Sequence, residues 1–476
     1  MKKELLLAAS VAMFSALNAA TIDKVVIRQQ WPWSTDVKVE YRIAGVSDPV
    51  DITVEAYDGD KPLDSAKLAS SMKGDLFGIA KDNFYSFTID PVKAFGKSDI
   101  AVMNFNVRLS VTPSAANMTD VLYKIVDLNS GAVTDVRRAD FYGGKYGSFE
   151  TSYSAIKDGF STGLQDVLIW TDVTNNPIYK TDFLVLRHIP ASSWGPWTMG
   201  AKREDDGGSS KPSSLASGEK LIKLTQDFYI GVFPVTQAQC KKIWGTSGVY
   251  YIDETIYGDC SYKPATGLQW WKVRSLSTRA DSKTQSPESD SFCGKLSAKT
   301  NSKLSFDLPT EAQWEFAARG GMMDSVLYSG AMWQGSSIHE LAWNSQNILT
   351  TQTDISSGNA GYDSVQTVSV GRKYPNAFGL YDTLGNVREF CRDYSNDAPY
   401  ATNGNEGEPE LNPMGIDCNE AASGTGSSSS YKKHIARGGT YEQDRLYSTL
   451  RSRFSLHENE QNGDLGFRVI CTVNQD

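Results

Sequence analysis

The sequence predicts an α+β chain with much irregular loop, divided into a β-rich N-terminal module and a larger C-terminal one. Three observations lead there. Alternating apolar residues run from Val25 to about Val111, the composition past Trp194 turns to Gly, Trp, Ser and Asn with little periodicity, and helix caps can be placed at two sites only. A chain of 476 residues also exceeds the roughly 250–300 residues at which a single core stops growing.

The opening MKKELLLAASVAMFSALNAA has two lysines, an apolar run from Leu5 to about Leu17 and small residues at Ala19 and Ala20. This is the layout of a secretory signal peptide over residues 1–20, so the mature chain is expected to be secreted or periplasmic. A membrane span needs roughly 20 apolar residues, and neither this run nor any later one reaches that length. With no Cys near the cleavage site, a lipid anchor is not expected.

Val37, Val39, Tyr41 and Ile43 share one strand face, as do Ile52 and Val54, and Met103, Phe105, Val107, Leu109 and Val111 another. Such period-2 runs, separated by turns such as AGVSDP and YDGDKP, predict an antiparallel sandwich of the immunoglobulin-like kind over residues 21–115. Trp31-Pro32-Trp33 reads as packing at a strand entry. A second β-rich stretch, Tyr123 to Leu128 followed by DVLIWTDV and TDFLVLRHI, is expected as a connecting region over 116–183.

In the C-terminal module, Thr236 with Gln239 opens the helix in VTQAQCKKIWG, and Thr310 with Gln313 opens that in PTEAQWEFAARGG. Each pairs a capping box with a Gly at the far end. The polar, low-complexity stretches REDDGGSSKPSSLASGEK and ATNGNEGEPELNPMGIDCNEAASGTGSSSS are expected as surface loops. Net charge is −9 without a basic cluster, which excludes nucleic acid as the expected partner. All six cysteines, at 240, 260, 293, 391, 418 and 471, fall in this module, and an even number in an exported chain suggests disulfides whose connectivity stays open.

The order of six segments carries a resemblance: WTMGAK, DFYIGVFPVTQAQC, LPTEAQWEFAARGG, NAFGLYDTLGNVREF, ARGGTY and GDLGFRVI. From about Leu184 to Cys471 the chain resembles the sulfatase-modifying-factor family of the formylglycine-generating enzyme, which implies a C-type-lectin-like fold over 184–476. Read from the residues alone, Gly379, Gly385, Gly438, Gly439 and Gly466 fix backbone turns, and Arg437, Arg453 and Arg468 have the planar fork that clamps carbonyls and carboxylates.

Calcium takes oxygen ligands, and Asp382 and Glu389 bracket a Gly turn with free carbonyls. The resemblance implies a structural calcium site there, formed by the side chains of Asp382 and Glu389 and the carbonyls of Gly385 and Val387. The other reading is that Asp382 and Glu389 bind backbone amides and arginines. A second family calcium site would involve Asn344 and the carbonyl of Ser345. The resemblance further implies that Cys293 and Cys471 are bonded, although Cys471 falls two residues late.

In the family, two cysteines after the GG hold copper and perform the oxidation; their places here are Gln443 and Ser448. Neither an amide nor a hydroxyl is a soft ligand for Cu(I). Thr440, Arg445 and Tyr447 match the family's Ser, Arg and Tyr of the same pocket, so the resemblance implies a pocket without its catalyst. GNVREF replaces the family's GN-x-W-E-W, with Arg388 and Phe390 in place of tryptophans lining the pocket region. The family's nonheme-iron members need three histidines, whereas His188, His339, His434 and His457 are scattered and read as surface or capping residues.

Two function classes follow. One is a non-catalytic, calcium-stabilised binding or structural module facing an extracytoplasmic protein or glycan, with Trp270, Trp271 and Trp333 near its loops. The alternative is an oxidoreductase of the same family on another substrate, and whether the chain is an enzyme stays open. The missing thiols favour the first and point away from copper and iron.

Overall fold

The computed structural model describes residues 20–29, 34–46, 49–64, 67–68, 71–76, 78–96, 104–113, 121–142, 144–154, 165–201, 218–245, 259–274, 285–320, 338–348, 367–396, 408–416, 421, 432–450 and 452–473. The signal segment before residue 20, Trp31-Pro32-Trp33, Trp333, Cys418 and most of both polar stretches lie outside them. The chain is a mixed α+β protein with mostly strands and few helices, in two compact units that divide between Met118 and Thr119.

The first unit contains β1 (Thr21–Gln29), β2 (Val37–Ala44), β3 (Val50–Asp58), β4 (Lys61–Pro62), β5 (Met72–Gly74), β6 (Asn83–Ile89) and β7 (Phe105–Pro113). They form two antiparallel sheets, ordered β1-β2-β6-β5 and β4-β3-β7. Alternation does what a pleat requires: Val37, Val39, Tyr41 and Ile43 are buried on β2, Val50, Ile52, Val54 and Ala56 on β3, while the residues between on β2 stay open. Asp51 is an exception, buried because its carboxylate accepts the Gly78 N–H at 2.9 Å.

The second unit begins with β8 (Val121–Asp127), β9 (Val133–Arg137), the hairpin β10 (Phe149–Ser154) and β11 (Gln165–Trp170), and β12 (Phe183–Ile189). It continues with β13 (Trp197–Ala201), β14 (Gly218–Lys223), β15 (Phe228–Gly231), β16 (Leu304–Asp307), β17 (Arg388–Tyr394) and β18 (Glu410–Leu411). β19 (Lys433–Arg437), β20 (Arg453–His457), β21 (Leu465–Gly466) and β22 (Ile470–Val473) complete it. Its largest sheet runs β16-β22-β15-β12-β8-β9, every pairing antiparallel. Residues 116–183 thus supply two strands of this sheet, because Tyr123–Asp127 pair with Phe183–Arg187. Smaller sheets run β13-β14-β18 and β20-β19-β17-β21.

Both capping boxes form reciprocally. Gln239 donates its N–H to Thr236 Oγ1 at 3.2 Å and accepts the Thr236 N–H at 3.0 Å. Gln313 and Thr310 repeat the pattern at 3.2 and 2.9 Å. The second helix, Glu311–Arg319, is buried almost throughout, and its acids meet arginines that close the unit. Arg437 donates to Glu311 at 3.2 Å, to the Leu450 carbonyl at 2.7 Å and to Glu315. Arg319 holds Glu315 at 2.9 Å and the Gly200 carbonyl at 3.1 Å, and Arg453 holds Glu311 at 2.9 Å.

Cys293 and Cys471 stand as free thiols instead of a bonded pair. Both are fully buried in one apolar cluster with Leu296, Phe306 and Phe467, where a thiol packs as a small hydrophobe. Burial pushes both thiols well up from the ordinary range, which keeps them protonated and inert. Cys391 is a buried free thiol too, and Cys240 and Cys260 are buried. His434 is no surface residue: it is fully buried, stacked on Trp270 at 3.6 Å between ring centroids and tilted against Tyr394 at 4.3 Å.

Candidate functional site

The loop that follows β19 carries the residues matched to the family pocket. Gly439, at φ 77°, has no room for a side chain, since a Cβ would meet the Tyr447 carbonyl at 2.4 Å. Thr440 is fully buried and its hydroxyl accepts the Glu442 N–H at 3.1 Å. Gln443 is tied by its carbonyl, which accepts the Ser345 N–H at 2.9 Å. A single 3₁₀ turn, Arg445–Tyr447, then sets Ser448, which is fully buried.

Three segments interlock around this loop. Gly385 donates to the Gly438 carbonyl at 2.7 Å, Asn386 to the Trp343 carbonyl at 2.9 Å, and Tyr441 to the Asn386 carbonyl at 3.1 Å. The Asn386 side chain clasps the backbone of Val368 on both sides at 3.0 Å. Within this neighbourhood five buried polar atoms have no hydrogen-bond partner among the described residues: Gln443 Oε1, Ser448 Oγ, Trp343 Nε1, Asn344 Nδ2 and Thr367 Oγ1. Leaving one such atom unpaired costs about 1–3 kcal/mol. A cluster of them is unspent binding capacity for water or a polar ligand.

Gln443 and Ser448 do not fit copper, which wants soft ligands. The structure brings Cys391 into a cluster with Trp314, Ile435 and Leu450, next to the pocket loop, a proximity that the sequence did not show. Its thiol is pushed well up by burial and by the nearby Asp393 and Glu311 carboxylates, so it supplies no thiolate. Arg388, expected beside the pocket, instead pairs with Asp464 at 2.8 Å, and Phe390 lies in the main core.

Glu389, fully buried, gives its oxygens to Arg468 at 2.8 and 2.9 Å and to Trp314 Nε1 at 2.8 Å. Arg468 completes its fork on the carbonyls of Gly231, Val232 and Tyr381 at 2.6, 3.0 and 2.8 Å. Asp382 accepts the Gly371 N–H at 2.6 Å and keeps an unpartnered Oδ1. Burial, eased by that N–H and by Arg468, raises its pKa to about 6. The amide-and-arginine reading of these two carboxylates therefore describes the geometry. The four-residue shell with Gly385 and Val387 does not fit a calcium ion while the guanidinium holds Glu389. Among the described residues no group of three or more His, Cys, Asp or Glu is placed to hold a metal. Asn344 turns its oxygen to the Gln346 N–H at 3.0 Å.

Equal melting temperatures are therefore expected in calcium and in chelator. An ion at a hundredfold excess over its Kd would add about 2.7 kcal/mol, so a rise of several degrees would show that Asp382 takes a cation after all.

A mostly stranded α+β domain closed by buried arginine–carboxylate clamps, with Gln443 and Ser448 at the positions matched to the family's thiols, defines a formylglycine-generating-enzyme-like protein. The Sulfatase-modifying factor enzyme 1-like domain matches residues 192–473, and the chain belongs to that family. It is 28% identical over 204 residues to the Chaperone protein LppX of Paenibacillus barcinonensis, which takes in 39% of this chain and 69% of that protein. It is 30% identical over 175 residues to the Formylglycine-generating enzyme of Streptomyces coelicolor, taking in 34% of this chain and 45% of the enzyme, less than half its length. Among solved structures, Treponema denticola variable protein 1 aligns with a TM-score of 0.39 at 21% identity, covering 61% of this chain and 95% of that one.

Proposed function

We propose that the chain is an exported, non-catalytic binding module of this family, in which the pocket around Gln443 and Ser448 receives polar groups of an extracytoplasmic protein or glycan. The observation that carries this reading is the cluster of unpartnered buried donors and acceptors standing where the family has thiols. Trp343 Nε1 and Asn344 Nδ2 offer donors, Gln443 Oε1 an acceptor, and the hydroxyls of Thr367 and Ser448 either role. A relative named as a chaperone agrees with work done by binding. In this reading the second unit adopts the family's C-type-lectin-like fold and the first is an immunoglobulin-like sandwich. The opening twenty residues are removed on export.

The test is the metal content of protein purified from its own export route. Copper and iron far below one equivalent are expected, and a stoichiometric redox metal would favour the oxidoreductase reading instead.

A further inference from the structure

Away from that pocket, the second unit has a separate cavity of about 440 Å³. Its walls come from three distant stretches: Thr174 and Lys180, the Tyr262 turn, and Ser369 with Arg372. No carboxylate lines it. Lys180 is buried, yet among the described residues no carboxylate lies within ion-pair distance of its ammonium, which stands 5.5 Å from the Phe233 ring centroid. Burial pushes its pKa down, the Asp382 charge opposes that shift, and the Arg372 charge adds to it. Arg372 is exposed and makes no ion pair or hydrogen bond to a described residue. The hydroxyls of Tyr262 and Ser369 likewise make none.

A desolvated cation without a direct ion pair is costly, and two cations facing one cavity repel. The partner that relieves both is an anion accepting charge-assisted hydrogen bonds from an ammonium and a guanidinium together. We propose that this cavity binds the oxyanion group of a small ligand between Lys180 and Arg372, with the Tyr262 and Ser369 hydroxyls as further donors. Its volume lies in the range of small-molecule sites and exceeds what a bare anion fills, so the group is carried on a small organic body. The inference does not depend on the pocket at Gln443, with which it shares no residue.

Calorimetric titration of the full chain with sodium sulfate, sodium phosphate and sodium glucuronate at constant ionic strength tests it. Saturable one-to-one binding is expected for at least one probe, with a Kd of about 1 mM or tighter. Arg372→Gln and Lys180→Met should each weaken it by about tenfold or more, the loss of one charge-assisted contact. Tighter glucuronate points to a sugar carboxylate, and tighter sulfate or phosphate to an ester of those acids. The exposed Arg372 makes its variant a safe test of folding, checked by an unchanged melting temperature. Absence of saturation by all three probes, or wild-type affinity in Arg372→Gln, would overturn the proposal.

Discussion

Replacing Arg437 by Met is expected to destabilise the second unit by about 3–5 kcal/mol, because it leaves buried carboxylates without their counter-charge. Arg437 is fully buried and bridges Glu311 and Glu315 while holding the Leu450 carbonyl, so one side chain ties the helix Glu311–Arg319 to β19 and to the pocket loop. Its guanidinium also stands over the Trp314 ring, 5.4 Å from the centroid. Methionine keeps the apolar stem but none of the donors. Arg319 and Arg453 remain beside Glu315 and Glu311 and hold the loss below that of an isolated pair of acids. Urea unfolding gives the number, and a loss under about 1 kcal/mol would mean that these charges are hydrated in solution.

A loss of the same order, about 3–5 kcal/mol, is expected for Glu389→Ala, with or without calcium. Glu389 is the anionic partner of Arg468, whose other donors bind carbonyls of Gly231, Val232 and Tyr381. Without the carboxylate, a guanidinium fully enclosed by protein faces only neutral acceptors, and Trp314 Nε1 loses its partner as well. Pairing Glu389→Leu with Arg468→Met should cost less than the two single changes added together, since neither charge is then stranded. Strict additivity in that cycle would mean that Glu389 and Arg468 are not coupled, and a loss seen only in the presence of calcium would assign Glu389 to a metal instead.

Local signals were legible and distant pairings were not. Thr236, Gln239, Thr310 and Gln313 announced two helix starts because a capping box is complete within four residues. The alternation from Val37 to Ile43 announced a buried strand face for the same reason. Residues 116–183 read as a connection because the partners of β8 on β12 lie about sixty positions later, and nothing local to Tyr123 encodes that pairing. At the site, the family resemblance, counted from Gly438, marked Gln443 and Ser448 as standing in the thiol positions. The commitment of Glu389 to Arg468 could not, since a carboxylate beside a Gly turn suits an ion and a guanidinium equally well in sequence. Cys391 approaches Leu450 only through the β17–β19 pairing. The cavity of Lys180 and Arg372 is assembled from stretches almost two hundred residues apart and had no sequence signal.

The role proposed for this family member is binding without the family's oxidation. It is tested most directly by incubating the protein, with and without copper, with a Cys-x-Pro-x-Arg peptide and following the thiol by mass spectrometry. With Gln443 and Ser448 in the thiol positions and Cys391 kept protonated by burial, no conversion of the cysteine to an aldehyde is expected at any time. Time-dependent aldehyde formation by the unmodified protein would contradict the account.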